Sequence, residues 1–170
     1  GRQIMNYEDT VVEQLRMRLT EAGLLPLQSQ SQTALEILEE RLEVYLPKFM
    51  EETGIDMWIV AGHETNEDPV MWTMVTPNVL YSRRQSALIF YRDPSDGHME
   101  RLSWMLGFDM AKFYTIIGTP KDSFSQIIEE QIRHFNPQKV GININSELGG
   151  FCGGLSAWMY NELMNNLPDE

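Results

Sequence analysis

Residues Met57-Trp58-Ile59-Val60-Ala61 are apolar without a break and run directly into a dense polar stretch, His63-Glu64-Thr65-Asn66-Glu67-Asp68, closed by Pro69. A strand with one solvated face alternates apolar and polar residues. A run without alternation predicts a strand over Asp56–Ala61 that is covered on both faces, and therefore a central strand with helices packed on each side. Ala87-Leu88-Ile89-Phe90-Tyr91 predicts a second strand of the same kind. A polar loop after a buried strand is where α/β folds place functional groups. Residues 63–68 are therefore candidates for a catalytic centre or for the rim of one.

The remaining pattern alternates helices and strands. Thr10 to Glu13 fits a capping box for a helix carrying Val12, Leu15 and Leu19 on one face, with Gly23 as its stop. Gln28 to Gln32 is polar and low in complexity and predicts a loop or linker, which divides the chain into residues 1–32 and 33–170. Thr33 to Glu36 fits a second capping box. The helix after it would bury Leu35, Leu38, Leu42, Tyr45, Leu46 and Phe49, kink or break at Pro47 and end at Gly54. Asp93-Pro94-Ser95-Asp96-Gly97 predicts a hairpin turn between the second strand and a return strand at 99–105. Short strands are expected at Phe113–Ile117 and Lys139–Ile144. A helix capped by Thr119, with Pro120 in its first turn, should bury Phe124, Ile127, Ile128, Ile132 and Phe135 and end at Asn136-Pro137. Ser156 should cap a last helix. The fold class is α/β: a mixed five- or six-stranded sheet with helices on both faces.

Composition narrows the function. The chain of 170 residues has 25 acids against 13 Lys and Arg, and residues 1–68 alone carry 14 acids against 5 bases. No basic run exceeds Arg83-Arg84, which argues against nucleic acid and against an anionic membrane surface. No apolar run approaches the roughly 18 residues of a membrane span. The single cysteine, Cys152, forms no intrachain disulfide and leaves the compartment open. The chain begins at Gly1-Arg2 and ends at Pro168-Asp169-Glu170, which reads as a fragment of a larger protein.

Each candidate site has a functional and an ordinary reading. His63-Glu64 opens like the zinc helix HExxH, but position 67 is Glu, so the second histidine is missing. Glu64, Glu67 and Asp68 could hold a hard cation. In the ordinary reading Asp68 caps a short helix begun by Pro69, and its neighbours are solvated or bonded within the loop. Arg83 or Arg84 could clamp a carboxylate bidentately, or could pair with surface acids. Trp72 could wall a substrate, whereas tryptophans are mostly core anchors. Cys152 with the scattered histidines is a weak case for nucleophilic chemistry. No GxxxxGK[ST] and no GxGxxG occurs.

The string Gly54-Ile55-Asp56-Met57-Trp58-Ile59-Val60 followed by Asn66-Glu67-Asp68-Pro69-Val70 resembles the N-terminal domain of the creatinase/prolidase/aminopeptidase P family, and is most similar to bacterial Xaa-Pro aminopeptidases. Arg83-Arg84, Lys139-Val140-Gly141-Ile142-Asn143 and Gly154-Leu155-Ser156 extend the resemblance over about residues 33–168. It implies a mixed α/β module that precedes a separate pita-bread catalytic domain. That domain would carry two divalent metal ions (manganese, cobalt or zinc) and hydrolyse the amide before proline. None of its ligands can be placed on this chain, so no catalytic residue is transferred. The resemblance further implies homo-oligomerisation, a partner in the chain's own C-terminal domain, and a substrate rim for proline-containing peptides. By position the rim candidates are His63, Glu64, Asn66, Glu67, Asp68, Trp72, Arg83 and Arg84. Here His63-Glu64-Thr65 stands where Arg-Glu-Tyr is frequent in that family. A stand-alone peptide-binding module of the same fold is the rival expectation.

Overall fold

A computed structural model describes residues 7–24, 26–80, 82, 84–144 and 154–166. The chain forms two compact units, residues 1–37 and 38–170.

The first unit is helical. α1 spans Tyr7–Glu21, so Thr10 lies inside the helix rather than at its cap. Gly23 adopts φ +72° and ends it as expected: Gly23 N–H bonds to Thr20 O and Leu24 N–H to Leu19 O. The stripe Val12, Leu15 and Leu19 is exposed. The expected linker at Gln28–Gln32 is overturned. α2 spans Leu27–Glu40 and includes all of it, and Thr33 is mid-helix rather than a cap. Residues 27–40 contain no Gly or Pro, and Pro26 supplies the first turn by accepting from Gln30 N–H. Glutamine is a good helix former, and Gln32 bonds Glu36 one turn on at 3.0 Å.

In the second unit the helix is interrupted by a π turn, Arg41–Tyr45, before α3, Leu46–Thr53. Leu46 N–H bonds to Arg41 O, five residues back. Pro47 follows directly and has no N–H to donate, so the ladder would be broken there in any case. The wider turn rotates the buried stripe. Leu38, Leu42, Leu46 and Met50 are buried, spaced by four, whereas Tyr45 and Phe49 are 57% and 41% exposed. Those two were expected inside. Gly54 ends α3 in the left-handed region at φ +63°.

The sheet has five strands: β1 Met57–His63, β2 Gln85–Arg92, β3 Met99–Trp104, β4 Thr115–Ile116 and β5 Val140–Ile142. Their order is β4-β3-β2-β1-β5. β1 pairs antiparallel with β2 and parallel with β5; β3 pairs antiparallel with β2 and parallel with β4. The continuous apolar runs are explained by two cores. Trp58, Val60, Leu88 and Phe90 pack with Leu38, Leu42, Leu46, Met50 and Met71 on one face. Met57, Ile59, Ala61, Ala87 and Ile89 pack on the other with Phe124, Ile127 and Ile128 of α5 (Phe124–Phe135) and Met159 and Leu163 of α6 (Ala157–Asn166). Alternation persists, but both faces are dry.

The turns follow their residues. In the β2–β3 hairpin Asp93 Oδ1 accepts from Ser95 N–H, and Gly97, at φ +79°, donates to Asp93 O. α5 is capped by Ser123 in a reciprocal capping box with Gln126, not by Thr119. Thr119 and Asp122 instead close their own turn, with Thr119 N–H 2.6 Å from Asp122 Oδ2. Asn136, at φ +47°, ends α5. Ser156 Oγ accepts from Met159 N–H at the start of α6.

Candidate functional site

β1 and β5 are parallel, so their C-terminal ends lie at one edge of the sheet with the start of β2. There the polar turn meets Asn143, just past β5, and Gly154, just before α6. His63 N–H bonds to Asn66 O at 3.2 Å and Asn66 N–H returns to His63 O at 2.9 Å, closing a tight turn. Thr65 sits within it at φ +71°, an uncommon conformation for a β-branched residue. Gly62 is required beneath it, because a Cβ there would come 2.8 Å from Asn66 O.

Asp68 is the centre of this arrangement. It is 1% exposed. Oδ1 accepts from Val70 N–H at 2.8 Å, the N-cap bond of α4 (Pro69–Thr73), with Pro69 in its first turn. Oδ2 accepts from Asn143 Nδ2 at 2.7 Å. Asn143 Oδ1 in turn accepts from Trp58 Nε1 at 2.9 Å. An indole can only donate, so Asn143 must turn its oxygen to Trp58 and its amide to Asp68. The polarity of the relay Trp58–Asn143–Asp68 is thereby fixed. Asn143 O also accepts from Leu155 N–H at 2.9 Å, and Asn66 Nδ2 donates to Gly154 O at 3.2 Å. One carboxylate and two amides thus tie β1, α4, β5 and the approach to α6 together.

The other candidates divide. Glu67 is half-buried and accepts from Ser82 N–H at 3.3 Å. Trp72 is half-buried against the first core, which makes it an anchor rather than a free wall. His63 is half-buried, with Nδ1 2.7 Å from Glu64 O. Glu64 and Arg84 are exposed and meet through their backbones, Glu64 N–H to Arg84 O at 3.0 Å. Arg84 is left-handed at φ +48°. Arg83 and Cys152 lie outside the described residues. Among the described residues no three His, Cys, Asp or Glu are grouped to hold a metal. Asp68, the best-placed oxygen ligand, has both oxygens engaged by protein donors. No helix among the described residues is long and apolar enough to cross a membrane.

Three features escaped the sequence reading. Asn143 is the first; its signal was an asparagine at the end of an apolar strand. The second is a buried set of hydroxyls on the first core's side. Ser82 and Ser86 bond each other, Ser86 reaches Met71 Sδ at 3.7 Å, and Ser103 Oγ is buried without a partner among the described residues. The third is a groove of about 570 Å³ lined by residues 78–80, 105–108 and 116–120.

No protein-family model, no curated protein and no solved structure matches the chain.

Proposed function

We propose that this chain is the non-catalytic N-terminal domain of a metal-dependent Xaa-Pro peptidase, supporting oligomerisation and substrate access. The observation that carries the reading is the use of Asp68: its two oxygens cap α4 and hold the Asn143–Trp58 relay. The residues that most resemble the creatinase/prolidase family are therefore employed in building the domain. A five-stranded mixed sheet with helices on both faces suits such a supporting module. Glu64 and Arg84 are its exposed rim candidates, while Asn66, Glu67, Asp68 and Trp72 serve the fold beneath them. The two divalent metals belong to the pita-bread domain, and no step of hydrolysis is assigned to a residue here.

The coding sequence downstream of Glu170 tests this reading. It should encode a further domain with two Asp, one His and two Glu as metal ligands; a frame lacking that set would overturn it. A second reading, a stand-alone peptide-binding module of the same fold, is favoured by the groove at residues 78–80, 105–108 and 116–120. It predicts a stop codon instead.

A further inference from the structure

β1, β3, β4 and β5 run in one direction, with β2 against them. Their carboxyl ends share one edge of the sheet, the edge outside which open α/β sheets hold ligands. His63 is the last residue of β1 and lies at that edge. Its backbone is pinned there: it pairs with Gln85 of β2 and exchanges two bonds with Asn66. Its ring is held too, with Nδ1 2.7 Å from Glu64 O. A carbonyl oxygen accepts and never donates, so the proton of a neutral ring sits on Nδ1. Nε2 is then left with an in-plane lone pair, and no group among the described residues donates to it.

The residue whose carbonyl orients the ring also brings a charge to the same turn. Glu64 N–H bonds to Arg84 O at 3.0 Å, which fixes the Glu64 backbone beside the entry to β2. The Glu64 carboxylate is exposed and forms no ion pair with Arg84 or with any other described cation. The other acids of the turn are engaged: Glu67 accepts from Ser82 N–H, and Asp68 uses both oxygens within the domain. Two acceptors, one neutral and one charged, thus stand in consecutive residues. A group that satisfies both must donate more than one hydrogen bond and carry positive charge, which describes a primary ammonium. The wider field agrees, because residues 1–68 carry 14 acids against 5 bases, a balance that draws cations and repels anions.

From this geometry we propose that His63 Nε2 and the Glu64 carboxylate together capture a primary ammonium, the N-terminus of an entering peptide. Each acceptor takes one N–H, and the Glu64 carbonyl keeps the ring in the tautomer that can accept. The two residues bind and take no part in hydrolysis. The choice of a peptide N-terminus over a lysine side chain rests on the peptidase reading; the acceptor pair itself does not.

The test uses the nitrogen-15-labelled 170-residue chain at neutral pH, with His63→Phe to assign the His63 ring among the three histidines. Long-range proton–nitrogen spectra should show the neutral His63 ring protonated on Nδ1; a proton on Nε2 instead would overturn the proposal. Titration with Ala-Pro-Phe should move the Nε2 signal saturably. N-acetyl-Ala-Pro-Phe, which lacks the charge, should bind about tenfold more weakly, the loss of one charge-assisted hydrogen bond. Glu64→Gln should weaken binding by a similar factor with the tautomer and melting curve unchanged, as befits an exposed side chain. An Nε2 signal indifferent to Ala-Pro-Phe, or equal binding after acetylation, would refute ammonium capture. Tighter binding of N-acetyl-lysine amide than of Ala-Pro-Phe would refute the peptide N-terminus as its source. The coding sequence downstream of Glu170 decides the peptidase reading separately: a frame without metal ligands would sink that reading and leave ammonium capture to be decided by these titrations.

Discussion

Asp68→Asn is nearly isosteric, yet it should be costly because of the direction in which the relay runs. Asparagine at 68 can keep Oδ1 toward Val70 N–H, but then presents an amide where Asn143 Nδ2 already donates at 2.7 Å. Flipping Asn143 relieves that clash and creates another, because its amide then faces Trp58 Nε1 across 2.9 Å. Either way a buried donor is left opposing a donor, which costs about 1–3 kcal/mol. We expect about 2 kcal/mol, seen in urea unfolding as a midpoint lowered by about 1 M at unchanged slope. Trp58→Phe removes the indole donor and frees Asn143 to flip. In that background Asp68→Asn should cost about 1 kcal/mol less, a coupling of the size expected for residues sharing one network. The assay is a four-member cycle of wild type, two single variants and the double variant, followed by far-UV circular dichroism. If Asp68→Asn lies within about 0.5 kcal/mol of wild type, or costs the same with and without Trp58, the relay does not hold the domain as described.

Other perturbations test separate parts of the fold. Gly62→Ala should destabilise by about 2 kcal/mol through overpacking, since its Cβ meets backbone Asn66 O; chemical denaturation reads this directly. The hydroxyl and amide of Ser95 hold the Asp93 carboxyl below its usual range. The stability it contributes is full above the ordinary Asp range and is lost as pH falls through the depressed value. Carbon-13 titration should show Ser95→Ala returning that carboxyl upward. Burial pushes the Tyr114 phenol well above its ordinary value, against a small opposing effect of Arg101. Its neutral form is thus favoured by folding, and that stability is present below pH about 10 and lost as pH rises further. Tyr114→Phe should flatten the alkaline loss of stability, measured as denaturation midpoint against pH.

What the sequence revealed and what it concealed follow from the range of the interactions. The unbroken apolar runs at 57–61 and 87–91 announced central strands with two cores, because dryness on both faces leaves a one-dimensional trace. Asp68 as a cap was legible too, since Pro69 and Val70 follow it directly. Its second bond was not, because Asn143 lies 75 residues away. Gln28–Gln32 misled by composition: polarity suggested a loop, while the absence of Gly and Pro allowed a helix. Tyr45 and Phe49 were misplaced because a π turn before Pro47 shifts the buried stripe to a spacing of four. Thr119-Pro120 imitated a helix start that Ser123 supplies four residues later, in a reciprocal box with Gln126. The groove beside β4 is assembled from three stretches, and none of them carries a motif.

In the proposed function the polar turn at residues 63–68 builds the domain and performs no hydrolysis. Incubation of the purified 170-residue chain with Ala-Pro and Ala-Pro-Phe, in the presence of manganese, cobalt or zinc, puts that to the test. Alanine should be released no faster than in the protein-free blank, by wild type and Asp68→Asn alike. Turnover by the wild type that Asp68→Asn abolishes, while circular dichroism shows both chains folded, would contradict it.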